Sequence, residues 1–318
     1  MFRIIFDYSV IMRMFFMVIV CTFTLAQIEP PDLTSDPDKA PFVYDDVQNF
    51  VSAFNQLDEG VDSLSILQSE YLDKATPGLE MFIQKYGLTA EMLLVAIQKH
   101  PDKYGELHRM PDLLHSYSDE GRKVYSELKE YIPNIQYPPT YFLIGGYRGI
   151  GSSSAEGSLI TVESWSIPIQ GRTTMLVHEL VHFQQVMAIG YEKYVALYGP
   201  EKNLLGLCIR EGVAEFFTDL ILGDITQSKA LEYTLTHEKR LWEQFREDMH
   251  GAETGDWIWT RPRDPEQPGF VGYALGYRLA RSYYENANDK GQALEALLSV
   301  TDYPGFLQRS GYTQHIED

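Results

Sequence analysis

The segment TTMLVHELVHFQQVMAIG, residues 173–190, constrains the fold more than any other stretch of this chain. Leu176, Val177, Leu180, Val181 and Phe183 give it a helical, strongly apolar character, with Thr173 or Thr174 able to cap its start and Gly190 to stop it. Within that helix His178 and His182 stand one turn apart on the same face, so both imidazoles can reach one metal ion. Glu179 lies about 100° further round, close enough to touch a water on that metal but poorly placed as a third ligand. Such a helix reads as a buried active-site helix. Zinc is the expected ion, because it lowers the pKa of a bound water from about 15.7 toward about 7 and leaves Glu179 to remove the proton as general base.

Two histidines leave a catalytic zinc site one protein ligand short. Glu211, in CIREGVAEFFTDLILG on the next expected helix (about 202–222, ending at Gly223), is the best candidate for the third. Glu215 follows one turn later on the same face and can orient a ligating histidine by accepting a hydrogen bond from its far nitrogen. Asp219 continues the stripe as a weaker claimant. His237 and His250 sit in a highly charged helix expected to face solvent, and His100, His108 and His115 show no ligand spacing. Attack on a carbonyl also needs an oxyanion partner. Tyr273 and Tyr277, with Arg278 beside them in PGFVGYALGYRLARSYYE, offer one. Trp257 and Trp259, in a loop at about 256–269, could line a cleft, but packing as part of a surface loop is the favoured expectation.

The remainder divides by texture. Residues 1–26 read as a signal peptide: Arg13, an apolar run from Met14 to Leu25, and Ala26 at the cut. That run is too short for a membrane span, which takes about 20 residues, so a secreted, periplasmic or cell-envelope location without a membrane span is expected. Residues 27–43 are Pro- and Asp-rich and read as an extended segment. Residues 44–132 carry helical periodicity punctuated by Pro77, Gly87, Pro101 and Pro111. From 133 to 318 two short runs rich in strand formers, TYFLIGG (140–146) and SLITVES (158–164), precede a series of helices. The Gly145–Gly151 cluster lacks the register of a nucleotide-binding loop and reads as a plain loop. The strand near 158–164 is expected to form the cleft edge, where an extended peptide can pair.

A formal net charge of −19 argues against nucleic acid or an anionic membrane as partner, since both require cationic patches. Once the leader is removed Cys208 is the one cysteine left, and inside a helix it reads as a small buried hydrophobe.

HELVH followed by REGVAEFF resembles the gluzincin pattern, in which a glutamate on a later helix completes the site. EGVA is similar to the N-E-G-F-A segment of gluzincin aminopeptidases, and Tyr273-Ala274-Leu275-Gly276 to their Y-x-x-G motif. PGLEMFI, PPTYFLIGG, HELVH, EGVAEFF and GYALGYRLARSYY, in that order, resemble a bacterial family described only as predicted zinc-dependent proteases. The resemblance implies a metallopeptidase with Zn2+ on His178, His182 and Glu211, Glu179 as base and Tyr273 on the oxyanion. Two departures stand out: 28 residues separate His182 from Glu211, and the G-A-M-E-N exopeptidase segment is replaced by something closer to GSLITVES. The expectation is therefore an α+β, predominantly helical chain with a zincin-like catalytic region at 133–318 that hydrolyses peptide or protein substrates. Its rivals are a non-catalytic cell-envelope binding protein on the same fold and a zinc hydrolase of non-peptide amides.

Overall fold

The computed structural model describes residues 33–57, 62–154, 156–165, 173–259 and 266–313. The expected leader and its cleavage point lie outside them. The described residues form one compact unit, α+β and predominantly helical.

After β1 (Phe42–Val43) come α1 (Asp45–Phe54), α2 (Ser63–Glu70), α3 (Pro77–Tyr86), α4 (Ala90–Lys99), the short α5 (Pro101–Gly105) and the long α6 (Met110–Tyr131). Their ends follow local chemistry. In α3 the Thr76 hydroxyl accepts from Leu79 N–H, Pro77 fills the first helical position, and Gly87 closes the end at φ 63°. That left-handed conformation is one a side chain resists. The apolar faces bury Phe50, Tyr71, Phe82, Tyr104 and Leu114 around the sheet.

The sheet has four strands in the order β1-β2-β4-β3, where β2 is Thr140–Leu143, β3 Gly151–Ser153 and β4 Ser158–Thr161. β1 and β4 run parallel to β2, with Phe42 opposite Thr140 and Thr140 opposite Ser158. β3 runs antiparallel to β4, Gly151 opposite Ile160. The segment read as extended contributes β1 at its end. One expectation changes here. The strand near 158–164 is interior; the edge strands are β1 and β3, and β3 is the one that borders the cleft described below. The chain between β2 and β4 doubles back and pairs, although Gly151, Ser152 and Ser153 are poor strand formers; pairing with β4 overrides propensity.

Before that edge, the turn at Gly145–Tyr147 is tied down from within. Glu163, 1% exposed, accepts from the backbone N–H of Gly145 at 3.0 Å and of Tyr147 at 2.8 Å.

The second half holds α7 (Thr173–Ile189), α8 (Tyr191–Ala196), α9 (Leu204–Leu222), α10 (Ser228–Asp248, bent at His237), α11 (Val271–Asn286), α12 (Lys290–Leu298) and α13 (Tyr303–Ser310). α9 is central: Asn203 caps it, Gly223 ends it at φ 64°, and every residue from Leu204 to Thr218 is buried. It packs against α7 on one side and α11 on another. Against α11 the backbones come close enough that a Cβ at Gly212 would overlap Gly276, and one at Gly276 would overlap the Cys208 carbonyl. Cys208 is fully buried there, as expected of a small hydrophobe. No helix among the described residues is long and apolar enough to cross a membrane.

Candidate metal centre

α7 brings His178 and His182 onto the face toward α9, and α9 presents Glu211 to them. His182 Nε2 lies 3.1 Å from His178 Nε2 and 3.0 Å from Glu211 Oε2; His178 Nε2 lies 3.4 Å from that same oxygen. All three side chains are buried, at 4–5% exposure.

What surrounds the rings decides which nitrogens are free. The Gln185 amide nitrogen donates to the Arg210 carbonyl at 3.0 Å, so its oxygen faces His182 Nδ1 at 2.9 Å and accepts from it. With the proton on Nδ1, His182 Nε2 presents its lone pair to the centre. His178 Nδ1 is buried without a hydrogen-bond partner, and the nearest charge to it is Glu215 Oε1 at 3.5 Å. That carboxylate favours the proton on Nδ1, which turns the second Nε2 lone pair inward as well. Two lone pairs and a carboxylate oxygen then converge with no donor among them. Such a set is stable only around positive charge, supplied by a proton or by a metal ion.

The electrostatics agree. Where a proton supplies that charge, burial pushes the His178 imidazole toward neutrality, yet the hydrogen bond it then donates to Glu211 and the charges of Glu215 and Glu179 outweigh burial and raise its pKa to about 9. Burial likewise opposes ionisation of Glu211, but the two imidazoles hold its carboxyl well below the ordinary range. The triad is a group that could hold a metal ion, and its two-nitrogen, one-oxygen donor set suits zinc.

Around it opens a cleft of about 930 Å³, lined by Gly149 to Ser154 from the sheet edge and by Glu179, Tyr194, Tyr198, Trp259, Phe270 and Tyr273. Glu179 lines this cleft together with His178, His182 and Glu211. The Ser153 hydroxyl contacts its backbone carbonyl at 2.8 Å and its Oε2 at 3.3 Å. Gly151 leaves it room: a Cβ there would come within 2.5 Å of Glu179 Oε1. Tyr273 stacks on His178, ring centroids 6.0 Å apart and planes 11° from parallel. Its hydroxyl accepts from the Trp259 indole N–H at 3.1 Å. Burial, and after it the charge of Glu211, keep that phenol protonated by pushing its pKa well above the usual value.

Residues 145–300 match the family model described as Predicted Zn-dependent protease (DUF2268). This zinc-dependent protease family is the one the ordered motifs resemble, and the matched residues span the sheet edge, α7, α9 and α11. Neither curated proteins nor solved structures gave a match.

Measured against expectation, the structure brings His178, His182, Glu179, Glu211, Glu215 and Tyr273 into one region and leaves the others out. Glu215 is held chiefly by the Thr226 N–H at 2.8 Å and by the Thr226 hydroxyl. Asp219 instead accepts from the Tyr277 hydroxyl at 2.7 Å, which Arg281 also contacts, so neither Asp219 nor Tyr277 reaches the cleft. Arg278 pairs with Glu238. Trp259 corrects the surface-loop expectation: it lines the cleft, whereas Trp257 is packed beneath, donating to Asp248. Sequence reasoning missed Gln185, Gly151 and Ser153. Gln185 had a usable signal, because it stands one turn from His182 on the same face. The β3 residues had none, because their role depends on where the edge strand falls.

Proposed function

We propose that the chain is a zinc-dependent peptidase of gluzincin type, with His178, His182 and Glu211 holding the ion. The carrying observation is the convergence of those three donors from α7 and α9, with a buried carboxylate one residue along α7 turned into the cleft.

When bound, zinc supplies positive charge that acidifies water and polarises a carbonyl. Glu179 takes the proton from the attacking water and returns it to the nitrogen of the breaking peptide bond. Ser153 and Gly151 keep that carboxylate at the cleft floor. Tyr273, as a neutral phenol, donates to the oxygen that gains negative charge in the transition state. The free edge of β3 offers backbone groups to an extended peptide laid beside it. A purely structural metal would need no carboxylate in this position, which favours the enzyme over a binding protein. The leader-like residues 1–26 support a location outside the cytoplasm.

The decisive experiment pairs metal analysis with peptide hydrolysis. Glu179→Gln is expected to retain zinc and lose turnover by roughly 100-fold or more, whereas His182→Ala and Glu211→Ala lose zinc and activity together. Undiminished hydrolysis by Glu179→Gln rules the mechanism out.

A further inference from the structure

Trp259 is the most unusual residue near the cleft that the mechanism leaves unused. Its backbone has φ 61°, a left-handed conformation uncommon for a large side chain. It is 42% exposed, although it is among the largest apolar side chains. Strain together with exposure at a cleft wall points from structure to function. Its two edges do different things. The indole nitrogen donates to the Tyr273 hydroxyl at 3.1 Å. One ring face stacks on Tyr198, centroids 5.8 Å apart and planes 24° from parallel. Tyr198 in turn neighbours Tyr194, and the Arg210 guanidinium lies 4.0 Å over the Tyr194 ring. The result is a braced aromatic wall that also includes Val195 and Phe270.

An indole N–H donates and cannot accept, so the Tyr273 oxygen is the acceptor and its own hydrogen stays available for a substrate carbonyl. A phenol that accepts while it donates is polarised in the direction that strengthens its donation. Beside it the exposed Trp259 ring, backed by Tyr198, offers an aromatic surface of the kind that takes a ring or a branched aliphatic side chain.

We propose that Trp259 couples specificity to catalysis. The Trp259 ring face turned away from Tyr198 receives a large apolar or aromatic side chain of the bound polypeptide, and its N–H positions Tyr273 over the carbonyl of the bond being cut. The proposal rests on the peptidase reading and deepens it by naming the substrate class. Trp259 is a specificity residue through its face and a positioning residue through its nitrogen.

Two measurements test it. In zinc-loaded Glu179→Gln protein, calorimetric binding is compared for peptides differing only by Phe, Leu or Gly at one position scanned along the chain. At the position that meets the wall, Phe and Leu are expected to bind about ten-fold more tightly than Gly, and Trp259→Ala to erase that preference. Equal affinities at every position, or a preference that survives Trp259→Ala, overturns the face assignment. In the active protein, Trp259→Phe keeps a ring and removes the N–H. It is expected to lower kcat about ten-fold with little change in KM, and to have no effect in a Tyr273→Phe background. Unchanged kcat, or an equal loss in both backgrounds, overturns the positioning role. Retained zinc and an unchanged circular dichroism spectrum establish that each variant is folded. Should the chain bind peptides with the Trp259-dependent preference yet hydrolyse none, the peptidase reading fails while the aromatic subsite stands.

Discussion

At the scale of single residues, the candidate metal centre is organised by side chains that do not belong to the triad. Gln185 is held by the Arg210 carbonyl and so can accept only from His182 Nδ1. Glu215, fully buried, stands opposite the other ring. Removing such partners typically weakens metal affinity by about 10- to 100-fold. Gln185→Ala is therefore expected to raise the zinc dissociation constant by a factor in that range while the fold persists. Competition against a chromophoric chelator measures it, and an affinity equal to wild type refutes the tautomer assignment. Arg210, next to Glu211 in sequence, stabilises the same corner by stacking on Tyr194 and Tyr198 and by donating to the Tyr194 carbonyl.

At the scale of elements, the decisive joint is the crossing of α9 and α11. Glycine inside a helix costs about 1 kcal/mol relative to alanine, so Gly212 and Gly276 need a compensating reason. The reason is backbone-to-backbone proximity, which lets Glu211 on α9 and Tyr273 on α11 line the same cleft. Gly276→Ala would drive a methyl group into the Cys208 carbonyl. Overpacking against rigid backbone is expected to destabilise the protein by about 3 kcal/mol and to displace both side chains. Urea unfolding and zinc analysis of the variant check this, and a midpoint within error of wild type refutes it. The elements that sequence made legible are those with local causes. α7 and α11 emerge from periodicity and stop signals, and α9 from its apolar run ending at Gly223. β1 escaped because its partner β2 lies far along the chain, Phe42 facing Thr140, and β3 because Gly151, Ser152 and Ser153 are poor strand formers held extended by the neighbouring β4. α8, which begins directly after Gly190, escaped because that glycine reads as a terminus and is here a hinge between two helices. The ligand triad was readable because H-E-x-x-H is a local pattern and the next buried helix supplies one well-placed carboxylate. The cleft wall at Trp259 was not, because its placement depends on tertiary contact with Tyr198 and Tyr273.

At the scale of the whole molecule, a buried acid away from the metal makes stability depend on pH. Burial raises the Glu163 carboxyl to about 7 from the usual 4.5, against the opposing hydrogen bonds from the Tyr147 and Gly145 backbone. A folded-state pKa above the unfolded value means that folding favours the protonated form. This contribution is therefore fully present below about pH 4.5 and lost as pH rises through about 7. Its size is on the order of 3 kcal/mol. Urea unfolding at pH 5 and pH 8 is expected to show a fall in stability in wild type that is much smaller in Glu163→Gln, and identical falls contradict it. The consequence reaches the site, because the turn that Glu163 secures leads directly into β3, the strand that holds Glu179. A second consequence follows from where the three proposed ligands come from. Two belong to one helix and the third to another, 29 positions later, so an occupying ion is a cross-brace as well as a reagent. Each tenfold rise in free zinc above the dissociation constant would add about 1.4 kcal/mol to stability. Melting temperature should climb with zinc, drop under chelation, and ignore both in His182→Ala. The supply of a trace nutrient in the surroundings would then set how long each molecule survives heat and foreign proteases.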